Sequence, residues 1–130
     1  MSRLSSFLKT NVKDSERTKD VYVSDRFSEP ITIKLLSPKE LSRCQEKAVT
    51  IRNKQPNFDS NVYSMELIKA SIIEPDLKNA ELQDSYGVMS EEELLNEMFT
   101  GAEFVKITTI VNEFNSLDES INDKIKEAKN

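Results

Sequence analysis

The chain has 130 residues, with 18 basic and 23 acidic side chains and a formal net charge of -5. A chain of this length fits one domain with one hydrophobic core, and its acidic balance argues against general nucleic-acid binding, which needs a basic surface. The chain has only one cysteine and two glycines, and it has no histidine. This composition excludes a cysteine-based zinc site, a histidine-based catalytic triad and a glycine-rich phosphate loop.

Residues 1–20 are polar and mixed in charge, with a small apolar cluster formed by Leu4, Phe7 and Leu8. Chain termini are commonly poorly ordered. We therefore expect an arm that is flexible or loosely docked through Phe7, and a dedicated binding arm is the alternative. The remaining residues, 21–130, are predicted to form the single domain.

A period-two pattern follows the arm and predicts a β-hairpin, with residues 21–27 paired to residues 31–36. The apolar positions on the two strands are Val21, Val23 and Phe27, then Ile31, Ile33 and Leu35. Two strands alone are marginally stable in water. The hairpin must therefore pack on helices.

The first helix begins at Ser37, where Pro38 stands at the first helical position and Glu40 three residues after the cap. An apolar stripe at helical spacing then runs through Leu41, Cys44, Ala48 and Ile51. Cys44 is interpreted as a small core residue, since the chain offers no histidine to activate a thiol. Residues 53–57 are predicted to form a loop.

Asp59 or Ser60 can cap a second helix, which we expect to end at Pro75. Its apolar arc is broad, which is typical of the central helix of a small domain. The apolar residues are Val62, Tyr63, Met65, Leu67, Ile68, Ala70, Ile72 and Ile73.

Four further helices are predicted. A short helix over residues 79–86 is closed by Gly87, and the next begins at Ser90, where three glutamates complement the helix dipole. Thr100 begins a helix with an apolar stripe, and Asp118 a final short one. The two stripes are Phe104, Ile107, Val111 and Phe114, then Ile121, Ile125 and Ala128. The fold class is thus mainly α, of the α+β type: an N-terminal β-hairpin on a bundle of about five short helices.

The most distinctive run, AELQDSYGV at residues 80–88, precedes the turn EELL at residues 92–95 and the segment GAEF at residues 101–104. Shorter agreements lie at residues 7–9 and 127–130. Together they resemble the XkdN-like tail assembly chaperones of long-tailed phages and phage-like elements. The resemblance implies a non-enzymatic chaperone, without a cofactor, that engages the tape-measure protein and the tail-tube protein during tail assembly.

Two surfaces are candidates for partner binding. Leu82 and Tyr86 lie four residues apart on one helix face, flanked by Gln83 and Asp84. A structural role, in which Tyr86 anchors the turn in the core, is rated equal to a binding role. The second candidate is the stripe containing Ile121 and Ile125 at residues 118–130, which either packs on the preceding helix or offers its apolar face to a partner helix.

The resemblance leaves two functions to separate. The first is a chaperone, and the alternative is a structural tail or connector component that stays in the virion. The ending at Lys129 and Asn130 is compatible with an A-rich slippery message. We therefore consider the hypothesis that ribosomal frameshifting near Lys129 makes an extended form of the protein as a further partner. Whether the chain forms homo-oligomers stays open.

A location in the bacterial cytoplasm is expected. A single cysteine, Cys44, cannot form an internal disulfide, which fits a reducing compartment. The uncharged runs fall well short of the about 20 apolar residues of a membrane span, and residues 1–13 lack the apolar core of a signal peptide. We therefore expect a soluble protein without membrane or nucleic-acid partners.

Overall fold

The computed structural model describes residues 2–13 and 16–117. The described part of the chain holds five α-helices, two small antiparallel sheets and two 3-10 turns, Ser5–Phe7 and Lys9–Asn11. The helices are α1 (Pro38–Ala48), α2 (Ser60–Ser71), α3 (Ala80–Ser85), α4 (Glu91–Met98) and α5 (Gly101–Phe114). The strands are β1 (Thr18–Val21), β2 (Ile31–Lys34), β3 (Val49–Arg52), β4 (Gln55–Phe58) and β5 (Ile72–Glu74). The predicted mainly α fold with an N-terminal hairpin is confirmed.

The N-terminal hairpin pairs β1 with β2, and Val21 lies opposite Ile31. The first strand ends at Val21 rather than continuing to residue 27, and it begins inside the segment predicted as an arm. Val23, beyond the end of the strand, is still buried, so the apolar positions were predicted better than the strand bounds. Whether the arm is flexible or docked stays a prediction.

The first and fifth helices begin as their caps predict. The side chain of Ser37 accepts a hydrogen bond from the Glu40 backbone N–H, and Glu40 accepts one from the Ser37 N–H. Thr100 and Glu103 form the same reciprocal arrangement at α5. Each pair satisfies two backbone donors that a helix start leaves without partners.

The cap at Ser90 differs from those at Ser37 and Thr100. The Ser90 side chain accepts from the Glu93 N–H at 3.1 Å, but the Glu93 carboxylate accepts from the Met89 N–H at 3.4 Å rather than from Ser90. The helix still begins at the expected residue, and all three residues of its first turn are glutamates. This places negative charge at the positive end of the helix dipole.

The core lies between the three-stranded sheet and α2, α4 and α5. Its fully buried members include Ile33, Ile68, Leu94, Leu95 and Ile107. Helix α2 contacts α1, α4, α5 and β5, which gives it the predicted central position. Cys44 is buried, as expected of a core residue, and burial raises the pKa of its thiol.

Two helix ends were predicted too far along the chain. Helix α1 ends at Ala48, and the next residues form β3, so Ile51 is 77% exposed instead of lying on the buried stripe. Helix α2 ends at Ser71, and Ile72–Glu74 forms β5, which pairs with β2 to complete a sheet of order β1-β2-β5. In both places β-branched residues leave the helix where a strand partner is available.

Candidate partner-binding surface

Helix α3 is held at both ends by local hydrogen bonds. At its start, the Asn79 side chain accepts from the Leu82 N–H at 2.9 Å. At its end, the Gly87 N–H donates to Asp84 O and the Val88 N–H donates to Gln83 O, at 3.0 and 3.1 Å. This pair of bonds forms a Schellman motif, which needs a left-handed residue. Gly87 supplies it with a φ of 67°.

The Gln83 side chain has a structural role. Its amide Nε2 donates to the carbonyl oxygen of buried Leu77 at 2.8 Å, which ties α3 to the preceding loop. Asp84, on the next position, is exposed. Of the two polar residues that flank the predicted face, Asp84 therefore remains the more accessible to a partner, and Gln83 fixes the position of the helix.

Leu82 and Tyr86 line one groove, as their spacing predicts. Leu82 is partly buried against the core, whereas Tyr86 keeps 39% of its surface exposed. The groove has a volume of about 400 Å3. Its lining is mostly apolar and comprises Phe27, Pro30, Ile31, Pro75, Leu82, Tyr86 and Met98, with Arg26, Ser28, Glu29 and Glu74 among them. The surface is concave and apolar with a few polar groups, which is the usual form of a binding site.

The wall opposite α3 is formed by residues of the loop between β1 and β2. Phe27 packs edge-on against Phe99, with ring centroids 5.9 Å apart and an interplanar angle of 85°. The Arg26 guanidinium lies over the Phe27 ring, 5.1 Å from its centroid. The two contacts fix the aromatic ring in the groove wall.

Arg26 is itself anchored by the buried carboxylate of Glu103, at the first turn of α5. Its Nη2 lies 2.5 Å from Oε1 and its Nε donates to Oε2 at 3.0 Å, while Nη2 also donates to the Met98 carbonyl at 2.9 Å. The Ser24 hydroxyl donates to the same carboxylate, and the Thr100 N–H donates to it at 2.8 Å. A two-pronged guanidinium–carboxylate pair fixes direction as well as distance.

These donors change the acidity of Glu103. The hydrogen bond from Arg26, followed by those from Ser24 and the Thr100 backbone, lowers the pKa of the Glu103 carboxyl far below its usual range. The same bond raises the pKa of Arg26. Glu103 is therefore ionised in the folded protein over the physiological pH range, and the pair holds the β1–β2 loop on α5.

Sequence reasoning missed the second wall of this groove. Arg26, Phe27 and Met98 are distant from α3 along the chain, and no local pattern links them to it. Glu103 carried a signal, but that signal was its capping position, which says nothing about the cation that its carboxylate binds. The predicted Ile121 and Ile125 lie outside the described residues.

The described part of the chain offers neither a metal site nor a membrane-spanning helix. Within residues 2–13 and 16–117, no group of three or more cysteine and carboxylate side chains could hold a metal ion. Among the helices described, none is long and apolar enough to cross a bilayer. The groove beside α3 is the candidate binding surface that the predicted residues Leu82 and Tyr86 share.

Comparison with known proteins defines the family. None of the curated proteins matches the chain. The fold is similar to that in the crystal structure of the protein yqbn, with a TM-score of 0.71 and 19% sequence identity over 89% of this chain and 98% of that chain; at this identity the likeness shows the fold alone. The family model of the phage XkdN-like tail assembly chaperone protein matches residues 4–129. The chain therefore belongs to the XkdN-like family of phage tail assembly chaperones.

Proposed function

We propose that this protein acts in the cytoplasm of the bacterial host by binding a tail protein, the tape-measure protein or the tail-tube protein, until the tail polymerises. It performs no catalysis and holds its client through apolar surface. Family membership supports the chaperone class. The observation that carries the binding mode is the half-open groove between α3 and the β1–β2 loop, which leaves Tyr86 at its rim.

The groove suits an apolar anchor side chain of the client. Its volume of about 400 Å3 is at the small end of ligand pockets, so it takes one or two side chains rather than a whole helix. Burial of apolar surface contributes about 25 cal/mol per Å2 before the costs of ordering. A contact of this size gives reversible capture, which assembly requires.

Charge selects among clients. The groove is lined by the carboxylates of Glu29 and Glu74. The cation in its lining, Arg26, is paired with Glu103, and Asp84 is exposed on α3. A client whose anchor is flanked by lysine or arginine would meet complementary charge around the groove. Raised ionic strength should then weaken capture.

The test is co-expression with the tape-measure protein or the tail-tube protein of the same element. The measured quantity is the soluble fraction of the client. Tyr86→Ala removes the rim of the groove and should lower that fraction. Tyr22→Ala is the matched control, because Tyr22 is 63% exposed and does not line the groove. Circular dichroism verifies that both variants are folded.

Two results would contradict the proposal. Equal solubilisation by both tyrosine variants would exclude the groove, and no solubilisation by the wild-type protein would exclude these clients. Mass spectrometry of purified particles adds an independent check. Fixed copy number in the particle would favour the structural tail or connector component instead of a chaperone.

The extended form is tested at the level of the gene. An unbroken run of A at Lys129 with an overlapping downstream frame supports frameshifting, whereas a G in the Lys129 codon and no such frame removes it. Sedimentation equilibrium of the purified chain determines whether it forms homo-oligomers.

A further inference from the structure

A second exposed apolar surface lies away from the groove, on the hairpin formed by β3 and β4. The register pairs Val49 with Phe58 and Ile51 with Pro56. Since side chains alternate along a strand, these four residues share one face, and the intervening positions share the other. We name the first set the hairpin face. Its members Val49, Ile51 and Phe58 are 44%, 77% and 52% exposed.

The hairpin face continues onto the body of the protein. The Phe58 ring lies 5.4 Å from the Tyr63 ring of α2, in a tilted arrangement. Burial raises the pKa of the Tyr63 hydroxyl. The apolar surface thus runs from Ile51 near the tip of the hairpin to Tyr63 at its base, and a contiguous apolar patch of this kind marks an interaction site.

The edges of this small sheet are poor places to add a strand. Pro56 on β4 has no N–H to donate. On β3, the Val49 N–H already donates to Glu46 O at the end of α1. A partner therefore gains more by covering the face than by extending the edge. A two-stranded unit is stabilised by a helix packed on its face, so the geometry favours a helical occupant.

Charge identifies the kind of helix. Arg52 and Lys54 are exposed, and no acidic residue lies between Lys47 and Phe58, although the chain as a whole has a net charge of -5. Arg52 is the last residue of β3, on the face opposite to Ile51, and Lys54 lies in the turn. Both therefore stand at the tip of the hairpin, where their long side chains can extend past the end of the apolar surface. A second copy meeting this face symmetrically would bring two sets of these cations together, which disfavours self-association.

We propose that the β3–β4 hairpin face binds an acidic amphipathic helix of another protein, with Ile51 and Phe58 covered by its apolar stripe and Arg52 and Lys54 paired with its carboxylates. This site is independent of the groove beside α3 and has the opposite charge preference. The protein then holds an acidic helix at this face and a basic anchor segment of a client in the groove at the same time.

The experiment uses the purified chain and three labelled synthetic peptides, with binding followed by fluorescence anisotropy. The first is an amphipathic helix with glutamate at its polar positions, the second has lysine at those positions, and the third is a scrambled version of the first. The acidic helix should bind more tightly than the other two, and its binding should weaken as salt is raised.

Variants locate the site. Ile51→Thr keeps a β-branched residue in the strand but removes apolar surface, and should weaken binding of the acidic peptide about tenfold. Val105→Thr is the matched control, since Val105 is 65% exposed on α5; it should bind like the wild type. Arg52→Glu with Lys54→Glu should reverse the preference toward the lysine peptide. Tyr86→Ala should leave the affinity for the acidic peptide unchanged, which would show that this site is separate from the groove.

Four results would overturn the proposal. Two concern the peptides: equal binding of all three, or no binding of the acidic one. The third is tighter binding of a labelled single-stranded oligonucleotide, tested in the same assay, than of the acidic peptide. The fourth is self-association in sedimentation equilibrium that Ile51→Thr abolishes. The last would assign the face to a second copy of the chain.

Discussion

The groove beside α3 and the hairpin face are both apolar and accessible, but they are attached to the protein in different ways. The groove is bounded by residues that hydrogen bonds and core contacts hold on several sides, as in the cluster of Ser24, Arg26 and Glu103. The hairpin has every residue of both strands exposed and contacts the body mainly through α1 and the Phe58–Tyr63 pair.

This difference has a physical consequence. Regions with few buried contacts open at lower free energy than the core. The groove should therefore keep its shape in the free protein, whereas the hairpin should gain order when a partner covers it. A preformed site loses less free energy on binding than one that must be ordered. Substitutions in the two regions should then separate global stability from local opening.

The largest expected effect is in the hydrophobic core, against which the groove residues Phe27 and Leu82 pack. Leu95 is fully buried in α4, so Leu95→Ala should lower the free energy of unfolding by about 2–5 kcal/mol through lost transfer energy and the cavity left behind. Urea denaturation measures this. Ile51→Ala on the hairpin should change it by no more than about 0.5 kcal/mol. Similar losses in the two variants would show that the hairpin is as well anchored as the core.

The next effect depends on pH. The Glu103 carboxyl has a lowered pKa in the folded state, whereas the pKa of a glutamate in an unfolded chain is about 4.3. As the pH falls, the unfolded state therefore takes up a proton first. The stabilisation by this carboxylate is fully present above about pH 4.3 and is lost as the pH falls further, through the lower pKa of the folded state.

Glu103→Gln should accordingly unfold more readily than the wild type at neutral pH, and the difference should narrow under acid. Urea denaturation at a series of pH values measures it. Glu92→Gln is the matched control, because Glu92 is an exposed residue of the first turn of α4. A difference that does not change with pH would mean that Glu103 stabilises by packing rather than by charge.

A smaller effect concerns the turn that closes α3. Gly87 has a φ of 67°, and a Cβ added there would meet no atom within 4 Å. Gly87→Ala should thus destabilise only through the left-handed backbone, by about 1–2 kcal/mol.

The other glycine, Gly101, starts α5 with similar space around it. Gly101→Ala should stabilise by about 0.4–1 kcal/mol, because it reduces the freedom of the unfolded chain. Thermal unfolding compares the pair; effects of the same sign would contradict this account.

The sequence predicted the helical framework best where its signals were local. The caps at Ser37 and Thr100 and the closing Gly87 are all used as expected, since each depends on residues within one turn. Strand β5 could not be predicted in this way. Ile72 and Ile73 continue the apolar pattern of the preceding helix, and pairing with β2 makes residues 72–74 a strand.

The candidate site, too, could be predicted from the sequence only where its residues are close along the chain. The shared face of Leu82 and Tyr86 follows from their spacing, but the wall formed by Phe27 depends on the bond between Arg26 and Glu103, which are 77 residues apart. The β3–β4 hairpin also carries a local signal, although the helical stripe to Ile51 and the loop over residues 53–57 predict a different structure for it. Val49, Thr50 and Ile51 are β-branched, and the positions before and after residues 53–54 alternate in polarity.

The smallest effect tests whether the hairpin opens by itself. Its two-residue turn places Asn53 and Lys54 at φ angles of 51° and 63°, a conformation for which glycine is preferred at the second position. Lys54→Gly should relieve that strain by about 0.5–1 kcal/mol after the entropy of the unfolded chain is included. If the hairpin opens locally, amide hydrogen exchange in β3 and β4 should slow about two- to fivefold and should not depend on low concentrations of urea, because local opening exposes little surface. Lys54→Ala removes the same charge without allowing the turn, and should give no such protection. Exchange in β3 and β4 that is as slow as in α4, and that urea accelerates to the same degree, would show that the hairpin unfolds only together with the core. The contrast between the two surfaces would then lie in exposure and not in stability.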